Sequence, residues 1–392
     1  MEIQALEAKY TSGVYAKRDL VIVSGKGALL YDEQGNEYID CVGGQGVANL
    51  GHAHPAIAAA IADQAQRLIT CPEMFYNDRR AELQARLCQL THMPRVYLCN
   101  SGTEAIEAAL KFARAATQRT GIIAAMRAFH GRTFGALSAT HNKKYREAFE
   151  PLVPGFRHVP YNNLEKLAEA VDESTAAVIL EVVQGEGGVY AGTPEFLQGA
   201  QELCRQQGAF LIIDEVQTGL GRTGKLFAYQ HYDLQPDFVC VAKSLAGGLP
   251  MGATLIGPRV GEFSVGWHGS TFGGNPLACA ASLAALDVIE KEGLPQRADK
   301  LGNIFRERLR QISSPLVREV RGLGLMVGME LKVKVAPYIQ AMTEKGVLVL
   351  NAGMNVLRFL PPLVIEAEQL DRVAQTLEEV LAAQPEEAVE NP

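Results

Sequence analysis

Six short apolar runs alternate with amphipathic helical patterns along this chain, and no other feature of the sequence restricts its fold as much. The runs are RVYLCN (95 to 100), GIIAAM (121 to 126), AAVILEVV (176 to 183), AFLIIDEV (209 to 216), FVCVA (238 to 242) and ATLIG (253 to 257). Between them stand patterns such as TEAIEAALKFARAATQR (103 to 119) and TPEFLQGAQELCRQQ (193 to 207). Strand-length runs that are apolar on both faces need cover on both faces. Alternating with helices, they specify an α/β fold with a mostly parallel, doubly wound sheet, whose ligands belong at the carboxyl ends of the strands.

After the helical pattern NPLACAASLAALDVIEKEG (275 to 293) the texture changes to helix, then VREVRGLGLMVGMEL (317 to 331), short strands and a final helix, which reads as a smaller α+β domain. The stretch VSGKGALLYDEQGNEYIDC (23 to 41) reads as a hairpin around QGN. The expected division is residues 1–50 packing with the small domain, a large domain over 51–294, the small domain over 295–385, and an acidic tail, 386–392, expected to be disordered. A formal charge of -7 leaves no basic field for nucleic acid or an anionic membrane surface. No run approaches a membrane span, and MEIQALEAKYTSGVY has no apolar stretch of signal-peptide length. Seven cysteines without a CxxC pair read as reduced thiols. These features together indicate a cytoplasmic protein with small-molecule ligands.

Four strand ends carry residues that packing alone does not explain. LCNSGTEAIEAAL sets Asn100, Ser101, Gly102 and Thr103 between a strand and a helix, where free backbone amides and the helix dipole favour an anion. Ser101, three residues before Glu104, is equally a capping box. AFLIIDEVQTG leaves Asp214 and Glu215 at the sheet rim, where an acid either caps a turn or holds a cationic ring nitrogen. Phe129, His130, Gly131 and Arg132 follow GIIAAM and put an aromatic face beside a bidentate cation. Lys243 closes FVCVA and precedes a glycine-rich turn; a lysine withdrawn from water loses its charge readily, and the neutral amine is a nucleophile. An anion cradle, a carboxylate, an aromatic plate and a strand-end lysine are the parts that hold pyridoxal phosphate.

In the order and spacing of NSGTEAIEAALKFAR, FHGRT, EVVQGEGGV, IIDEVQTGLGRTG, VAKSLAGGLPMG, STFGGNPLACAA and RFLPPL, the chain resembles the class III, fold type I pyridoxal-phosphate aminotransferases over essentially its whole length. Within them it is most similar to N-acetylornithine aminotransferases and the related aminotransferases of carrier-protein lysine biosynthesis. The resemblance implies Lys243 as the Schiff-base lysine and Asp214 as the partner of the pyridine nitrogen. Val216 would lie under the ring, Phe129 above it with His130 beside, and Gln217 near the ring hydroxyl; Ser101, Gly102 and Thr103 would hold the phosphate. Ser270 and Thr271 would reach the site from the neighbouring subunit of an obligate homodimer, Thr271 toward the cofactor and Ser270 toward the substrate. Arg132 would hold the α-carboxylate of a donor presenting its distal amine, Arg358 that of glutamate, and Glu186 would pair with Arg358 while the donor is bound. Read from the residues alone, Arg358 is a strand-edge charge and Glu186 a solvated loop acid.

The reaction so implied moves the terminal amino group of an α-N-acylated diamino acid to 2-oxoglutarate through a pyridoxamine intermediate, giving a semialdehyde and glutamate in arginine or lysine biosynthesis. The donor is N-acetylornithine, or an acetylated or carrier-linked lysine with an amino-group carrier protein as a further partner. Ornithine aminotransferases carry tyrosines near the positions of Leu29 and Gln45; neither residue here is aromatic, so a free α-ammonium would be desolvated without a good partner. Gln45 is expected to contact substrate. Ornithine and 4-aminobutyrate aminotransferases, an aminomutase and a catalytically inactive relative of the fold are the alternatives. GLGRTG (219 to 224) matches GxGxxG but stands past its strand with no clear amphipathic helix after it. His52 and His54 lack a third ligand, so no metal site is expected. HNKKYREAF (141 to 149) reads as a solvated helix face.

Overall fold

Seven strands form the central sheet of the computed structural model, which describes residues 3–383; the tail 386–392 expected to be disordered lies outside the described residues. They are β1 (Arg95–Cys99), β2 (Gly121–Ala125), β3 (Phe156–Val159), β4 (Thr175–Glu181), β5 (Phe210–Asp214), β6 (Phe238–Val241) and β7 (Gly252–Ile256), in the spatial order β1-β7-β6-β5-β4-β2-β3. All neighbours are parallel except at β7, which runs antiparallel to both β6 and β1. The reversal of β7 brings the segment before it to the carboxyl edge of the other six. Alternate residues enter opposite layers, as the pleat demands. Ile123, Val178, Leu180, Ile213 and Val239 join one core, and Ile122, Ile179, Ile212, Phe238 and Cys240 the other. Helix α1 (Gly102–Thr117) covers the second core through Ala105, Ile106, Ala109 and Phe112. Among the described residues no helix is long and apolar enough to cross a membrane.

Strand β3 has no counterpart among the six apolar runs. Its sequence FRHV has one buried residue, because a strand at the sheet edge keeps much of its surface in water. Strands Leu29–Asp32 and Glu37–Asp40 form the hairpin read at QGN, closed by Asp32 Oδ1 accepting from the amides of Gln34 at 3.0 Å and Asn36 at 2.8 Å. Strand Ile22–Lys26 extends it on one side, and the two-residue strand Val347–Leu348 pairs with Ile39 and Asp40 on the other. A separate antiparallel sheet comprises Val317–Leu323, Met326–Leu331, Val356–Phe359 and Leu350–Ala352.

The GxGxxG segment is a junction between distant parts of the chain. Arg222 within it is fully buried; its Nη1 donates to the carbonyls of Leu325 at 3.0 Å and Pro361 at 2.5 Å, and its Nη2 to Asn49 Oδ1 at 2.6 Å. One guanidinium therefore supplies donors to the N-terminal segment and to two loops beside the C-terminal sheet. Arg222→Met should leave three buried acceptors unpaired and lower stability in urea unfolding by about 4 kcal/mol, at roughly 1–3 kcal/mol per group. A loss below about 1 kcal/mol would mean that water takes over these bonds.

Candidate active site

A cavity of about 410 Å³ opens at the carboxyl edge of the sheet, and Lys243, Asp214, Phe129 and the start of α1 all line it. Strand β5 delivers Asp214 to the base, 5 % exposed. Its Oδ2 lies 2.8 Å from His130 Nδ1, and its Oδ1 accepts from the Val216 amide at 3.0 Å. With the carboxylate as acceptor, His130 donates from Nδ1, and its buried Nε2 has no partner among the described residues. Glu215, the other acid at this strand end, turns away: it accepts from Thr218 Oγ1 at 2.5 Å and the Tyr229 amide at 2.8 Å. The alternation of a strand end thus separates an acid facing the cavity from one that fastens a turn.

Lys243 follows β6 and opens a tight 3-10 turn, with φ at +44°. A side chain with a Cβ meets steric strain in this left-handed region, and such strain collects at functional sites. Burial, then the charge of Arg358, pulls its ammonium down to about 8, against the opposing pull of Glu186, Asp214 and Glu181. Near neutral pH an appreciable share of this amine is unprotonated and nucleophilic.

Helix α1 presents its N-terminus to the cavity. Ser101 Oγ accepts from the Glu104 amide at 3.3 Å and Glu104 Oε2 accepts from the Asn100 amide at 2.6 Å, so the capping reading is correct and leaves the cavity position intact. The first helical bond runs from the Ala105 amide to the Ser101 carbonyl, which leaves the amides of Gly102 and Thr103 outside the helical ladder. A Cβ on Gly131 would lie 2.4 Å from Thr103 Oγ1, at φ +142°, so only glycine lets the FHGR loop approach this end. Pyridoxal phosphate fits these residues: a helix N-terminus for its phosphate, a buried carboxylate for a cationic ring nitrogen, Phe129 and Val216 as apolar faces, and an amine for its aldehyde.

Two arginines differ in state: Arg132 lines the cavity, and Arg358 bonds two residues that line it, Glu186 and Gln217. Arg358, on strand Val356–Phe359, is buried; its Nη2 meets Glu186 Oε1 at 2.7 Å and its Nη1 donates to Gln217 Oε1 at 3.2 Å. It is no strand-edge charge in water. A Cβ on Gly185 would sit 1.9 Å from that same Gln217 oxygen, which explains the glycine before Glu186. Arg132 is exposed, with its guanidinium 3.9 Å from the centre of the Tyr145 ring and 5.6 Å from that of Phe129.

Besides Arg358, three of the sequence candidates do not line this cavity. Gln45 is exposed, and its backbone carbonyl, not its amide, meets Gln217 Nε2 at 3.4 Å. Ser270 Oγ accepts from Asn100 Nδ2 at 3.0 Å, and Thr271 is exposed on the surface. Conversely, Glu181 and the segment from Leu249 to Met251 line the cavity, and they lie outside the four strand ends that the sequence marks. Reading AAVILEVV as one strand placed Glu181 mid-strand; its position after AAVIL, matching Asp214 after FLII, was the available signal.

Residues 12–381 match the family described as Aminotransferase class-III. A [LysW]-aminoadipate semialdehyde transaminase of Deinococcus radiodurans is 50% identical over 383 residues, covering 96% of this chain and 89% of that protein. An acetylornithine aminotransferase of Methanothermobacter thermautotrophicus is 47% identical over 384 residues, covering 97% and 98%. A solved structure of the ornithine aminotransferase of Toxoplasma gondii, with pyridoxal phosphate at partial occupancy in its active site, aligns at a TM-score of 0.95 with 36% identity, covering 98% of this chain and 95% of that one.

The lowered Lys243 ammonium ties stability to pH. Without cofactor, the folded chain releases this proton near pH 8 and the unfolded chain near 10.5, so the unfolded state binds more protons in between and stability should rise with pH across that window. Lys243→Met should remove this contribution. The wild-type minus variant difference in urea unfolding free energy should therefore climb from pH 8 to 10.5; a flat difference would show the amine to be solvated.

Proposed function

The chain belongs to the class III aminotransferases, enzymes that depend on pyridoxal phosphate, and we propose that within this family it moves the terminal amino group of an α-N-acylated diamino acid of ornithine or lysine type to 2-oxoglutarate. The observation that carries the reading is the contrast between the arginines: Arg358 is capped by Glu186, whereas Arg132 has no carboxylate partner among the described residues. One substrate gives up nitrogen and the other takes it up at the same point, so the two must be held there in turn. While Glu186 covers Arg358, the free anchor is Arg132, which suits a donor whose carboxylate is remote from its reacting amine. 2-Oxoglutarate carries a carboxylate beside its keto carbon and can take Arg358 from Glu186.

Bound pyridoxal phosphate supplies an aldehyde carbon that takes up amines and a ring that accepts the electron pair left when the substrate carbon loses a proton. Lys243 would hold the group and carry that proton as base and acid. Asp214, oriented by His130 and the Val216 amide, would keep a proton on the ring nitrogen. Gly102 and Thr103, beside the Ser101 cap, would hold the phosphate, Phe129 and Val216 would supply apolar faces for the ring, and Gln217 would serve its hydroxyl.

An acyl amide is uncharged and costs less to bury than a free α-ammonium, and Val47, Leu249 and Met251 give the cavity apolar wall. Past Phe129 and Glu186 lies an outer chamber of about 740 Å³, bordered by Arg127, Lys143 and Lys144. None of these cations has a carboxylate partner among the described residues. This chamber favours a donor whose acyl group extends outward and carries negative charge, as a carrier-linked lysine would. It also gives the basic stretch after His141 a use beyond a solvated face.

Met74, Tyr76, Val265 and Phe272 are large apolar side chains more than half exposed, and Phe272 directly follows Thr271. We assign this face to a second copy of the chain, with Ser270 and Thr271 of each copy completing the other's site. Seven free cysteines support a reducing, cytoplasmic setting.

Catalytic efficiency with 2-oxoglutarate should be compared for N-acetylornithine, N-acetyl-lysine, α-N-glutamyl-lysine, free ornithine and 4-aminobutyrate. The best acylated donor should exceed free ornithine by about 100-fold; free ornithine or 4-aminobutyrate ahead of every acylated donor would refute the reading. The double variant Lys143→Glu, Lys144→Glu should cut efficiency for α-N-glutamyl-lysine about tenfold and for N-acetylornithine by less than about twofold. Equal losses would detach the chamber from donor choice.

A further inference from the structure

Glu181 has none of the roles above, yet it is a buried acid, 6 % exposed, with no cationic side chain bonded to it among the described residues. It ends β4 directly beside Asp214 on β5. Its Oε2 accepts from the Phe129 amide at 3.1 Å and its Oε1 from the Gly185 amide at 3.3 Å. We propose that Glu181 is a positioning residue that clamps the loop carrying Phe129 and His130 to the loop carrying Glu186, and that it must be a carboxylate because both of its oxygens face backbone N–H donors.

The argument rests on counting donors and acceptors. A glutamine of the same size offers one acceptor and one NH₂ group, so one of the two amides would meet a donor. A methionine would leave both unpaired, and an aspartate, one methylene shorter, would reach only one. A buried carboxylate without a counter-ion is costly, so a position that a neutral residue could fill equally well should not hold one. Burial pushes the Glu181 carboxyl up, with Asp214 adding to the effect, while His130 and the two amides favour its charged form.

What the clamp joins gives it a consequence. Phe129 immediately precedes His130, which orients Asp214; Gly185 immediately precedes Glu186, which covers Arg358. Gln184 Nε2 also donates to the Met126 carbonyl at 2.9 Å, so the two loops meet a second time farther out. The face that packs on the ring and the acid that gates the second carboxylate anchor are thereby set by one side chain. Loosening it should free Arg358 from Glu186 and weaken donor binding more than 2-oxoglutarate binding.

The test is amide hydrogen exchange on the holoenzyme, wild type against Glu181→Gln. Segments 127–131 and 183–188 should exchange about tenfold faster, and β5 should be unchanged. The dissociation constant for pyridoxal phosphate should rise about threefold or more, and the donor half-reaction should slow about tenfold more than the 2-oxoglutarate half-reaction. Unchanged exchange in both segments would overturn the clamp, and equal slowing of the half-reactions would overturn its link to the Arg358 gate. If Glu181→Gln does not fold, Glu181→Asp carries the test: faster exchange in one segment supports the clamp, and none overturns it. The half-reaction comparison rests on the proposed function, whereas exchange is read without substrate and stands whatever the donor proves to be.

Discussion

The in-register parallel pairing of β4, β5 and β6 is the constraint on which the rest of this molecule depends. Glu181 lies opposite Asp214, Asp214 lies opposite Cys240, and Lys243 follows three residues later. Parallel strands finish at one edge, so two carboxylates and an amine meet there without any long loop to order. The apolar body of those strands is what withdraws the amine from water and lowers its affinity for a proton, while the neighbouring acids limit how far this goes. The left-handed backbone at Lys243 adds strain of about 1 kcal/mol, held in place by the packed strand behind it. Antiparallel β7 completes the arrangement by returning the chain to the same edge.

The gate at Arg358 follows the same economy of charge. Burying the Arg358 guanidinium costs less with an anion beside it, and Glu186 supplies one from a partly exposed loop. A substrate carboxylate that took the place of Glu186, as proposed, would leave the number of charges around Arg358 unchanged and so avoid the penalty of a lone buried cation. Gln217 bonds the other arm of the guanidinium and keeps it aimed through the exchange. Arg132 needs no such cover because it lies in water against the ring of Tyr145.

Sequence reading reached the sheet, the cofactor and the strand-end residues because each rests on a local pattern. An apolar run followed by a single polar residue is legible at Lys243 and Asp214, and a serine three residues before Glu104 is legible as a cap. Edge strand β3 was not legible, since FRHV is half in water and carries no run. The separate fates of Asp214 and Glu215 depend on which side of the sheet each faces, and adjacent acids look alike in a sequence. Glu181 escaped because its meaning lies in two backbone amides from distant loops, and Arg222 because its partners are contributed by residues 49, 325 and 361. Ser270 and Thr271 gained their expected roles only from family resemblance, and no contact within one chain assigns them.

The central claim is that Lys243 is the amine on which the reaction turns. Borohydride reduction of the enzyme loaded with pyridoxal phosphate, followed by proteolysis and mass mapping, tests it most directly. The account predicts one stoichiometric label, on the peptide containing Lys243, and its loss in Lys243→Ala while that variant stays folded. A stoichiometric label on Lys225 or any other lysine, with Lys243 unmodified, would contradict it.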